Sequence, residues 1–203
     1  MTPIGRFPPL ERDAMTERQR AVADEIAAGP RGSLKGPFLV LIHNPDLASC
    51  VQALGEHLRF ATEIPKALIE VAVLVVAHRW DCEYEWFAHA RIAREAGVSE
   101  ESIAALAKGE MPAGMHGDEA MVHKFSVETA WEGRPSEEAL NLAQARFGRA
   151  AVLDLIAIAG YYSMLAMVLN AAQVPVPAHP IALQKGAPQR PRTSVDMLKA
   201  SGS

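Results

Sequence analysis

Cysteine is scarce in this 203-residue chain. Cys50 and Cys82 are the only two, thirty-two positions apart, and they make no disulfide framework. A reducing compartment, the cytoplasm, is the expectation. An excess of either charge is missing too. Lys and Arg number 20 against 24 Asp and Glu, a net −4, which argues against nucleic acid or an anionic membrane surface as a general partner. The opening residues Met1 to Pro9 lack the apolar segment of a secretory leader. No two alternating strands joined by a hairpin dipeptide occur. Proline is nearly absent from the middle: between Asp46 and Val174 there are only Pro65, Pro112 and Pro135, each lying between apolar-periodic segments. Proline breaks a helix interior but suits a first turn, so the middle reads as a helical body with extended arms at both ends. One apolar stretch, Ala150 to Leu169, is long enough to cross a bilayer. It contains Asp154, Gly160, Tyr161, Tyr162 and Ser163 and has no flanking basic cluster, so it reads as a buried core helix.

What is present is a chain 49% hydrophobic and 22% charged. At this length about 70% of the unfolded surface can be buried without staples. Three segments are expected: 1–35, an arm and first helix; 36–174, the helical domain; and 175–203, a proline-rich arm. Thr16-Glu-Arg-Gln19 is a capping box that opens a helix ending near Gly29. Arg31 to His43 reads as a loop. Helices then follow from Asn44 to about Phe60, Pro65 to Arg79, Asp81 to Ala96, Ser99 to Lys108, Asp118 to Trp131, Ser136 to Phe147, and Arg149 to Ala172. Val71 to Ala77 is ambiguous. Its β-branched residues suit a buried strand, while the longer apolar run back to Ala67 suits a helix buried on all sides. A faint echo links Ala67-Leu-Ile-Glu70 with Ala151-Val-Leu-Asp154, each placing one acid inside an apolar helix.

The densest chemical vocabulary is Trp80-Asp-Cys-Glu-Tyr-Glu-Trp-Phe-Ala-His89. At ~100° per residue, Cys82, Glu85 and His89 fall within ~60° of one another on a helix. Glu85 and His89 stand one turn apart, close enough for a carboxylate to orient an imidazole. A carboxylate neighbour favours imidazolium and burial disfavours it, a competition suited to acid–base work near neutrality. Glu70 is the one charged residue between Ala67 and Ala77, and a carboxylate in so dry a helix must find a partner or a proton. A short turn at 79–81 folds its helix back so that Glu70 can face the Cys82/Glu85/His89 stripe. His78 can reach the same pocket or merely complement a helix end. His43 can cover it from the loop or serve the turn. Tyr161 and Tyr162 can line it with hydroxyls or pack as core aromatics. A metal on Glu70, Glu85 and His89 is conceivable, but no clustered Cys/His motif accompanies them, and none is expected.

The spacing of Glu70, Cys82, Glu85 and His89 resembles the carboxymuconolactone decarboxylase and alkylhydroperoxidase D family. So do Glu70-Val-Ala-Val-Leu-Val-Val-Ala-His78, Gly97, and Gly160-Tyr-Tyr-Ser-Met164 leading to Leu169-Asn-Ala171. The likeness spans roughly 36 to 174. It implies an all-α bundle around a central antiparallel helical hairpin, assembled as homo-oligomeric trimers or hexamers, and it makes Val71 to Ala77 helical. In the peroxidase branch, as the resemblance has it, a second cysteine attacks peroxide where this chain has Glu85, and a carboxylate forms neither sulfenate nor disulfide. The implied activity is a cofactor-independent decarboxylase acting on a small carboxylated lactone, whose own unsaturation takes up the electrons. In that reading His89 donates the proton, Glu85 orients it, and Glu70 is a second acid/base. Cys82, His78, Tyr161 and Tyr162 contact substrate, and one of Arg59, Arg79 or Arg94 holds its carboxylate. Alternatives are an oligomeric binding or scaffold protein of the same fold and a residual peroxidase-like oxidoreductase.

Overall fold

The computed structural model describes residues 5–177 and 182–183. The described residues form eight helices and no strand. After a 3-10 turn at Arg12–Ala14, α1 runs Glu17–Ala28, opened by the Thr16/Gln19 capping box. The segment expected to be a loop contains a short helix, α2, Pro37–Leu41. The reason is local. Pro37 pre-sets the first turn, and the apolar run behind it buries Phe38, Val40 and Leu41. Next, α3 (Pro45–Glu56) starts at Asn44, whose side chain accepts from Leu47 N at 3.2 Å, and passes into a π-helical turn, His57–Ala61.

The central helix α4, Lys66–Arg79, is buried continuously from Leu68 to His78. That continuous burial is why its apolar residues show no amphipathic stripe, and it resolves the strand-like run as helix. Asp81, in the left-handed region at φ 47, turns the chain so that α5, Glu83–Glu95, folds back against α4. Then come α6 (Glu100–Leu106), α7 (Gly117–Glu132) and α8 (Glu137–Ala172). Gly148, at φ 82 and ψ 170, interrupts α8, as the two separately expected helices require. α4 packs on α5, α7 and α8. One side of it meets a core including Val22, Ile26, Leu58, Phe125, Leu155 and Ile158, so the first helix shares the core of the body. The other side meets Trp86, Ile103, Leu106 and Val127.

α8 has the length and composition of a membrane span, but half of its most apolar window is buried inside the fold. Its Asp154 is satisfied locally, accepting from Thr62 Oγ1 (2.6 Å) and His57 Nε2 (2.9 Å). Of the proline-rich arm, 175–177 and 182–183 are described. Leu183 is buried beside Trp86's cluster, and its N–H donates to Glu83. From its five prolines and lack of an apolar period the arm is expected either to wrap a neighbouring subunit or to stay unstructured, and that expectation falls mostly outside the described residues.

His123 of α7 is 1% exposed, its Nε2 has no partner, and burial pushes its pKa down to about 4. It is therefore neutral in the fold and protonates more readily once unfolded. Stability should be lost as pH falls from about 6.5 to about 4, by up to about 3 kcal/mol. Denaturant midpoints across that range should show the loss, and His123→Phe should flatten it.

Candidate active site

A cavity of about 350 Å³ opens between α5, the last turns of α8, the π-turn and the loop ahead of α2. α5 contributes Glu85 and His89 to its wall, and α8 contributes Tyr161 and Tyr162. The loop and π-turn supply Arg31 and Arg59. Behind the wall, Glu70 of α4 (3% exposed) accepts from Nδ1–H of His89 (8% exposed) at 2.7 Å. The helical hairpin thus brings the two groups together across nineteen residues, and the imidazole carries its bonded proton on Nδ1. Tyr162 meets the His89 ring edge-to-face at 4.9 Å, restricting its tilt.

Glu85 does not orient His89, contrary to the expectation from their spacing; Glu70 does. The Glu85 carboxyl is 3% exposed, its Oε2 has no hydrogen-bond partner, and burial raises its pKa well above the ordinary range. It lines the cavity, and its buried surroundings favour the protonated carboxylic acid over the carboxylate. The Tyr162 hydroxyl is likewise buried without a partner, and burial pushes its pKa up. The Tyr161 hydroxyl accepts from Arg31 Nη2 at 3.1 Å.

Two expected contact residues lie elsewhere. Cys82 is the N-cap of α5, fully buried against Ala166 and Leu169 and absent from the cavity lining; burial pushes its thiol pKa up. His78 also lies outside the lining, stacked on Trp131 at 6.2 Å and seated over Gly109, where burial lowers its pKa. Each sits at the α4–α5 turn, on sides of the helices that the core claims. His43 instead donates to Pro8 O at 3.0 Å. Of the three candidate arginines only Arg59 reaches the cavity. Arg79 lies near the rings of Trp80 and Trp131, and Arg94 pairs with Glu100.

Sequence reasoning missed Arg31. Its Nε donates to Gln52 Oε1, its guanidinium lies 4.5 Å above the Phe38 ring, and burial lowers its pKa. Gln52 in turn donates to Glu56 at 3.2 Å. The available signal is the pair of basic residues in Arg31-Gly-Ser-Leu-Lys35, within the segment whose glycines and prolines read as a loop. Gly55 makes this cluster possible: a Cβ there would lie 2.0 Å from the Tyr161 hydroxyl and 2.4 Å from Arg31 Nη2. Among the described residues no group of three or more His, Cys, Asp or Glu is placed to hold a metal.

Residues 45–127 match the model of the carboxymuconolactone decarboxylase family. A crystal structure described as an alkylhydroperoxidase AhpD core, an uncharacterized peroxidase-related protein from Ralstonia eutropha JMP134, shares the fold. It superposes with a TM-score of 0.68 at 19% identity, covering 87% of this chain and 94% of that one. No curated protein matches the sequence. Residues 45–127 are thus similar to the carboxymuconolactone decarboxylase family, and the helical body has the fold of the alkylhydroperoxidase AhpD core.

Gly55→Ala should displace Tyr161 and Arg31 and lower stability by about 1–3 kcal/mol, read from denaturant midpoints. Glu85 makes an opposite kind of prediction. Its carboxyl binds a proton more tightly folded than unfolded, so wild-type stability should fall as pH rises above about 4.5. Glu85→Gln should remove that slope and be more stable than wild type at pH 8.

Proposed function

We propose that the protein is a cofactor-independent lyase of the carboxymuconolactone decarboxylase type, acting on a small carboxylated lactone or a related unsaturated acid. The observation that carries this reading is Glu85: a buried carboxyl with an unpartnered oxygen, one turn from a histidine held by a second buried acid. The bond from the substrate carbon to its carboxylate breaks, carbon dioxide departs, and the electron pair enters the unsaturated lactone as an enolate. The carbon then takes a proton. Glu85 takes over from His89 as the donor, because burial raises its pKa well above the ordinary carboxyl range and so favours the protonated form. His89, with Nδ1 committed to Glu70, has Nε2 for taking up a proton from solvent and passing it to Glu85, which replaces the one given to the substrate carbon. The Tyr162 hydroxyl is available to a developing oxyanion.

The thiol-peroxidase alternative is weakened by both cysteines. Cys82 is buried with its thiolate disfavoured, Cys50 is exposed on α3, and neither lines the cavity. The test is turnover of carboxymuconolactone, followed by the change in absorbance as it converts to the decarboxylated lactone and by release of carbon dioxide. Glu85→Gln is expected to lower kcat by about 10²–10⁴ with little change in KM, and His89→Gln to slow turnover by a comparable factor. Undiminished turnover in Glu85→Gln would overturn the donor assignment. Absence of turnover in the wild-type protein would overturn the activity.

A further inference from the structure

Arginines Arg12, Arg18, Arg91, Arg94 and Arg146 all pair with an Asp or Glu. Arg31 and Arg59 do not. Both are half-buried and both line the same small cavity, yet neither is bonded to a carboxylate among the described residues. Lys35 adds a solvent-exposed positive charge at the rim. The cavity's own carboxyl, Glu85, is bonded to neither arginine, its Oε2 has no hydrogen-bond partner, and burial disfavours its charged form. Partly desolvated cations without a counter-charge are costly, and an anion entering the cavity relieves that cost.

Arg31 is also fixed in advance. Gln52 and Tyr161 occupy two of its five N–H donors, and the Phe38 ring supports its plane. Three donors of the guanidinium remain, including the pair on Nη1. A fork held in this way loses little rotamer freedom when it binds a carboxylate. Its position in the chain matters as well. Glu70, Glu85, His89 and Arg59 fall inside the family-matched residues 45–127, whereas Arg31 comes from the loop before them and Tyr161 from the helix after.

We propose that Arg31, with Arg59 beside it, is the anion-holding and specificity-determining residue of this cavity, selecting small ligands that carry a carboxylate. The proposal rests on reading the cavity as the active site, but not on which reaction occurs there. It is tested by equilibrium binding, without turnover, using benzoate and its neutral isostere benzamide at low ionic strength. Wild type should bind benzoate about tenfold or more tighter than benzamide, a preference that shrinks with added salt. Arg31→Met should bring the two affinities together. Arg94→Met, which removes only a surface partner of Glu100, should leave the preference intact. Should Arg31→Met fail to fold, Arg31→Lys supplies the decision: charge without the fork should keep the preference while weakening benzoate several-fold. Equal binding of the two probes by wild type, no binding of either, or a preference indifferent to Arg31→Met would overturn the proposal, as would unweakened benzoate binding by Arg31→Lys. A protein that binds benzoate selectively but turns over no lactone would sink the lyase reading and leave this one standing.

Discussion

The hydrogen bond from His89 to Glu70 ties the centre of the molecule together. A carboxyl group inside the driest helix of the bundle would be a serious liability alone, and an imidazole nearly as dry would be another. Placed 2.7 Å apart across the α4–α5 hairpin, each satisfies the other. The arrangement demands a tight reversal at Asp81, fixes how far α5 slides along α4, and sets which face of α5 looks into the cavity. Glu85 is then left, one turn earlier on the same face, with no comparable partner. Two acids in similarly apolar surroundings therefore differ in kind: one is committed to a histidine, and the other is pushed by burial toward keeping its own proton.

Much of this was legible in the residues. The capping box at Thr16, the proline starts at Pro45 and Pro65, and the stop at Gly148 mark helix ends through backbone chemistry that tertiary context did not override. The odd charge of Glu70 announced a buried partner because such a group cannot go unsatisfied. Side-chain partnerships were less legible. Helical spacing favoured Glu85 as the group on His89, but spacing along one helix says nothing about a competing carboxyl on the next. Cys82 and His78 carry the right chemistry for a pocket, yet both sit where the chain reverses and their side chains are drawn into packing. Arg31 was hidden for a different reason: its role depends on Gln52, Gly55 and Tyr161, contacts spanning up to 130 residues.

The family match and the structural neighbour agree on the architecture and differ in the activity their descriptions name. The fold is common ground for both chemistries, so the decision belongs to the cavity wall. There the chain presents a buried carboxyl whose charged form is disfavoured, a histidine backed by an acid, a phenol without a hydrogen-bond partner and two guanidinium groups with no carboxylate partner among the described residues. These are groups of the kind that proton transfer and anion binding use, and no cysteine lies among them.

The echo between Glu70 and Asp154 extends into three dimensions, since each acid ends on a histidine. Asp154 clasps His57 and Thr62, the residues at the two ends of the stretch that carries Arg59 and Phe60 to the cavity rim. That stretch is a widened π-turn, a geometry helices rarely keep without help. A carboxylate on the far helix therefore acts as a buckle for the rim. How firmly the entrance keeps its shape is governed by a residue that never meets whatever passes through it.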